Sequence, residues 1–217
     1  MKRLLLVGLN LMVFIVSNSQ QLQTSSLYEM QSLLHNPGTA GLFQDNMIGA
    51  SYRSQWSGIS GSPRTAMVFG SYNLKKENAG ISGYLFTDKT GPTSRTGLSA
   101  SFAKHLKMKD GSVWSVGIEA RALQFAIDRA KLSATLGADP ALGNAENRFK
   151  FDAGLGVAYQ KNNLRLGASV SQLVQSKLGF YNGTTTLAEE ARLYRHYYFH
   201  GSYSWNVDES TEITPNF

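Results

Sequence analysis

Ile48-Gly49-Ala50-Ser51-Tyr52-Arg53-Ser54-Gln55-Trp56, continuing Ser57-Gly58-Ile59-Ser60-Gly61-Ser62-Pro63-Arg64-Thr65, is the stretch that decides the fold. Its first half alternates. Ile48, Ala50, Tyr52 and Trp56 fall on one side of an extended chain, and Gly49, Ser51, Arg53 and Gln55 on the other. A period of two predicts a β-strand with one apolar and one polar face. The second half is dense in Gly, Ser and Pro, which ends a strand and makes a loop.

The same alternation returns along the chain. Strands are expected at about 65–74, 79–88 and 96–106. The next runs through Trp114, Val116, Ile118, Ala120 and Ala122, with Ser115, Gly117, Glu119 and Arg121 opposite. Two more are expected at about 149–159 and 164–171. An eighth, His196 to Val207, places Tyr197, Phe199, Tyr203, Trp205 and Val207 against His196, His200, Ser202 and Ser204. Strands of about 9–12 residues suit a bilayer crossed at a tilt, which needs roughly 9–11. Trp56, Phe102, Trp114, Phe149, Tyr159 and Trp205 recur near strand ends, as interfacial aromatic girdles do.

The connections carry further information. Residues 75–78, 107–111, 161–163 and 208–210 are short and polar, whereas 57–64, 89–95, 124–148 and 175–195 are longer. Strict short-and-long alternation fits an up-and-down outer-membrane barrel with short periplasmic turns and long outer loops. The expected fold class is therefore all-β, an antiparallel outer-membrane β-barrel of which about eight strands are visible. Glu212 to Phe217 carries Pro215 and no alternation, so it does not read as a closing strand, and a ninth strand is expected to begin there.

Residues 1–19 read as a signal peptide cleaved after Ser19. Lys2 and Arg3 precede the apolar run Leu4–Val16, which is too short for a spanning helix of about 20 residues. Residues 20–46 form a polar lead-in segment on the periplasmic side, packed against or plugging something larger, and 47–217 the incomplete barrel. The chain has no Cys, which excludes disulfides, thiolate metal sites and a thiol nucleophile. The formal charge of +6 falls to +4 without Lys2 and Arg3, and no run of like charge supports a nucleic-acid partner.

No catalytic, cofactor or metal residue is assigned. His196 and His200 lie more than about 10 Å apart on a strand rising roughly 3.3 Å per residue, too far for one metal. They are expected to line the interior, together with Glu119, Arg121 and Arg53. Gly58-Ile59-Ser60-Gly61 lacks the second spacer of a nucleophile elbow, so an outer-membrane lipase has little support.

Several segments resemble one family. Asn36-Pro37-Gly38-Thr39-Ala40-Gly41 resembles its Asn-Pro-Ala-x-Ala-Gly element, with Gly38 where Ala is usual. Tyr52-Arg53-Ser54-Gln55-Trp56 with Gly61-Ser62-Pro63-Arg64-Thr65 resembles its Tyr-Arg-x-Gln-Trp and Gly-x-Pro-x-Thr elements. Residues 151–173 and 196–205 are similar to its later strands. The chain thus resembles the PorP/SprF membrane proteins of type IX secretion in Bacteroidetes. Its motif residues are Asn36, Pro37, Gly41, Tyr52, Arg53, Gln55, Trp56, Gly61, Pro63 and Thr65. The resemblance implies an outer-membrane accessory of secretion or gliding motility that is not an enzyme and needs no cofactor. Its implied partners are the C-terminal domain of a secreted cargo or adhesin, periplasmic secretion components and outer-membrane lipid. Family members are usually longer, which implies further C-terminal strands. A general porin and a soluble secreted adhesive β-sandwich are the alternative readings.

Overall fold

The computed structural model describes residues 32–43, 46–136, 147–177, 193–208 and 211–216. The expected signal peptide lies outside them. Eight strands form one antiparallel sheet in chain order: β1 Asn46–Ser54, β2 Arg64–Leu74, β3 Ala79–Thr90, β4 Thr93–Lys107, β5 Val113–Ile127, β6 Asn147–Lys161, β7 Leu164–Ser171 and β8 His196–Tyr203. Among the described residues β1 and β8 are the edges, so the sheet is a half-barrel open on that side.

Alternation gives the sheet two different faces. On the outer face, Ala50, Val68, Leu85, Leu98, Ala122 and Phe151 stand in one cross-strand rung. Tyr72, Ile81, Phe102, Ile118 and Leu155 form another. Most of these large side chains are half or more exposed, with Phe151 at 73% and Ile118 at 57%. A continuous apolar band is unstable against water and stable against lipid. Trp114 and Tyr159 pack at 4.8 Å between ring centroids near the end where the short turns lie.

The concave face is mixed. Ser71, Ser82, Ser101, Glu119 and Gly154 share one rung, and Phe69, Tyr84, Ser99, Arg121 and Asp152 the next. Toward the end where β1 passes into β2, Met67, Phe69, Tyr84, Phe86 and Leu123 make an apolar cluster with Leu33 and Leu193. Gly97 permits this: a Cβ there would sit 2.2 Å from the Phe86 ring and 2.8 Å from Leu123.

Three expectations about the connections change. The segment 89–95 is not a loop, because β3 and β4 run on to Thr90 and Thr93 and turn through Gly91-Pro92, with Gly91 at φ +57°. Its charged and hydroxylated residues continue the ladder in register, Lys89 opposite Ser94 and Thr90 opposite Thr93. Likewise β5 extends to Ile127, and the helix α1, Arg129–Leu136, follows. Asp128 Oδ1 accepts from the Lys131 amide at 3.1 Å and caps it. Trp56 is not on β1: the strand ends at Ser54, and Trp56 takes φ +55° in the following loop.

The eighth strand also ends earlier than its alternation suggests. After Tyr203 the chain forms a small hairpin, β9 Trp205–Asn206 with β10 Glu212–Ile213, and Asn216 bridges back to Ser202. Residues 212–213 pair with β9, and the end of β8 is reached only by Asn216 and by the Pro215 carbonyl, which accepts from the Tyr203 amide at 3.3 Å.

Candidate functional site

The segment Ser32–Leu42 lies on the concave face. Two 3₁₀ turns, η1 Ser32–Leu34 and η2 Pro37–Thr39, give it a compact shape. Asn36 starts η2: Pro37 holds Asn36 in extended geometry, with φ −136° and ψ 105°, and the Asn36 Oδ1 accepts from the Gly38 amide at 2.8 Å. The Thr39 hydroxyl donates to the Asn36 carbonyl at 2.8 Å. Leu33 meets the apolar cluster near the β1–β2 connection, whereas Ala40 meets His105 near the opposite end. The segment thus runs along the concavity from one end of the sheet toward the other.

The wall receives this segment because it lacks side chains there. A Cβ on Gly117 would stand 2.3 Å from the Pro37 carbonyl oxygen. On Gly156 it would stand 2.0 Å from Asn36 Oδ1, and on Gly80 2.0 Å from the Ala40 carbonyl oxygen. Interior glycines in strands mark close backbone approach. Polar groups then anchor the segment at both ends. Asn36 Nδ2 donates to the Val157 carbonyl at 2.9 Å and lies 2.9 Å from His200 Nε2. The Ser169 hydroxyl donates to the His35 carbonyl at 2.6 Å, and the Gly41 amide donates to the Ser71 hydroxyl at 2.8 Å. His105 Nε2 is 3.0 Å from the Ala40 carbonyl oxygen. Gly41 takes φ +64°, and a Cβ on it would stand 2.8 Å from the Tyr72 carbonyl oxygen, so a side chain is excluded twice over. Asn36 and Pro37 are fully buried.

Above this seat is an ionic cluster. Glu119 accepts from Tyr84 at 3.0 Å, from Ser99, and from Arg121 Nη2 at 2.7 Å. Arg121 and Arg95 lie over the rings of Tyr84 and Phe86, at 5.7 and 5.2 Å from the centroids. Asp152 Oδ1 accepts from the Ala153 and Val174 amides. In this wall Glu119 is a structural acceptor enclosed by donors. Below the seat a cavity of about 480 Å³ opens among Leu42, Asn73, Lys75, His105 and Lys107.

The ten motif residues separate into two groups. Asn36, Pro37 and Gly41 build the seated segment. Tyr52, Arg53, Gln55, Trp56, Gly61, Pro63 and Thr65 lie at the end of β1, at the start of β2 and in the loop between them. There the Gln55 amide donates to the Pro63 carbonyl at 3.0 Å, the Gly91 amide donates to the Gly61 carbonyl at 2.8 Å, and Thr65 donates to Asp88 at 2.7 Å. Tyr52 and Trp56 are exposed. His196 does not join His200: its Nδ1 lies 2.9 Å from Gln172 Oε1 and 2.8 Å from the Tyr194 carbonyl oxygen. Tyr84 and Asp152 were not singled out from sequence; their shared rung with Arg121 requires the register.

No helix among the described residues is long and apolar enough to cross a membrane, which says nothing about crossing by strands. No curated protein and no solved structure matches the chain. A family profile described as type IX secretion system membrane protein PorP/SprF matches residues 16–217. This is a secretion-system membrane family rather than an enzyme family, and the motifs, the all-β sheet and the near-complete match together place the chain in it: the protein belongs to the PorP/SprF family of type IX secretion system membrane proteins.

Proposed function

We propose that the chain is an outer-membrane β-barrel component that anchors or helps present a secreted surface protein. The observation that carries this reading is the pairing of a lipid-compatible outer face with a concave face filled by the chain's own segment. Solute flow along that face would require Ser32–Leu42 to leave, which favours a scaffold over a general porin. A single sheet with an uncovered apolar face likewise disfavours a soluble sandwich.

With the start of β1 on the periplasmic side, the connections β5–β6 and β7–β8 face outward and offer the surface for the cargo C-terminal domain. The β2–β3, β4–β5 and β6–β7 turns face periplasmic secretion components, and the apolar band faces outer-membrane lipid. Density separation of membranes tests the location: the protein is expected in the outer-membrane fraction, and recovery as a soluble periplasmic protein would sink the proposal. Deleting residues 129–146, which spares β5 and β6, is expected to release cargo from the cell surface. Normal retention would remove that loop from the partner site.

A further inference from the structure

Three histidine ring nitrogens hold contacts on the concave side, and they do not respond alike to a proton. His105 Nε2 faces the Ala40 carbonyl oxygen, and His196 Nδ1 faces the Gln172 and Tyr194 oxygens. Oxygens accept, so these nitrogens carry hydrogen whether the ring is neutral or charged. His200 Nε2 instead faces an amide nitrogen, Asn36 Nδ2, at 2.9 Å. The orientation of that amide is fixed by two backbone partners: Oδ1 takes the Gly38 N–H, and Nδ2 gives to the Val157 carbonyl. Nδ2 is a donor only. His200 must therefore present a lone pair at Nε2, which is the neutral ring with its proton on Nδ1.

We propose that the Asn36–His200 contact is an acid-labile latch, in which a proton on His200 Nε2 sets N–H against N–H and releases the segment Ser32–Leu42 from the concave face. The proposal rests on reading that segment as the interior filling of the barrel. The ring has little room to turn away. A Cβ built on Gly167 would fall 2.1 Å from Nε2, and the Phe43 ring stands edge-on at 6.0 Å. The strain falls on Asn36, which carries Pro37 and Gly38 with it.

The titratable and charged neighbours leave a new charge in company that is mostly basic. His35 approaches from the segment. Arg165 of β7 lies over the Phe43 ring, His196 and Tyr198 share β8, and Arg121 projects from β5. Among the carboxylates, Glu119 is held by Arg121 and Asp152 by the Ala153 and Val174 amides.

Hydrogen exchange of the backbone amides of residues 32–42, in the full chain in lipid nanodiscs at pH 7.5 and 5.0, tests the latch after correction for intrinsic rates. Gln at position 200 offers an acceptor that does not titrate. His35 adds an acid sensitivity of its own, so the comparison is between variants. His200→Gln is expected to cut the acid-induced loss of protection at least fivefold relative to wild type. An equal loss in both overturns the proposal. Asn36→Asp supplies a second arm, because its carboxylate gives up the donation to the Val157 carbonyl but accepts from the charged ring. Its protection is expected to rise on acidification, and a fall like that of wild type also overturns the latch. Neither arm reads cargo retention, so this outcome is separate from that of the secretion role.

Discussion

One methyl group on the wall tests the seat directly. In Gly156→Ala the new Cβ would lie 2.0 Å from Asn36 Oδ1 and 2.9 Å from Pro37 Cδ. Ordinary contact needs about 3.4 Å or more, so the turn must withdraw by roughly 1.4 Å. Asn36 Nδ2 now sits 2.9 Å from both the Val157 carbonyl oxygen and His200 Nε2. The same withdrawal would take each contact to about 4 Å, beyond hydrogen-bond range. Two buried acceptors would then lack a donor, at about 1–3 kcal/mol each. The seated state is thus weakened by about 2–6 kcal/mol, or roughly 30-fold or more in the docking equilibrium. The strand itself keeps its ladder and its lipid-facing side chains. Hydrogen exchange of residues 32–42 in the detergent-solubilised protein reads the effect. Leu155→Ala, one residue away on the opposite face, serves as control. Protection unchanged within about threefold in Gly156→Ala would refute the seat as drawn.

Two further predictions concern the groups around the seat. Burial, followed by the nearby charges of Arg121 and His200, pushes His35 down to about 4. Its pKa is then lower folded than unfolded, so its share of stability is intact above about pH 6.5 and is lost as pH falls toward 4, reaching about 3 kcal/mol. Thermal unfolding between pH 7 and 4.5 should fall more steeply for wild type than for His35→Gln, and parallel curves would contradict this. Glu119→Ala removes the acceptor of Tyr84, Ser99 and Arg121 and leaves a buried guanidinium without its nearest carboxylate. A loss of about 3–5 kcal/mol is expected by denaturant unfolding, with a smaller loss for Glu119→Gln. A loss below about 1 kcal/mol for the alanine variant would show that Arg121 finds another partner.

Much of the sheet is legible in the chain itself. Side chains at i and i+2 share a face whatever the partner strand is, so the apolar sets through Trp114–Ala122 and Phe149–Tyr159 mark the exposed apolar face without a register. The tight turns at Lys75–Glu77 and Asn162–Asn163 are likewise local, and Asn78 and Asn162 adopt the positive φ values, 46° and 49°, that asparagine tolerates. Strand ends are less legible where the sheet leaves the apolar band. Lys89–Arg95 has loop composition, yet it is a hairpin because cross-strand pairing, rather than side-chain polarity, holds it.

What fills the concave face is settled only by tertiary structure. Glu119 and Arg121 announce a shared polar face, but Tyr84 lies 35 residues from Glu119 and reaches it through the pairing of β3, β4 and β5. Asn36 finds the Val157 carbonyl 121 residues away and His200 164 residues away. Gly80, Gly117 and Gly156 look like scattered strand glycines until the register aligns them beneath the Asn36–Ala40 segment. The sequence by itself determines which side of each strand is apolar, because that depends on a local period of two. Which residues meet inside depends on register and curvature, and those are properties of the whole sheet.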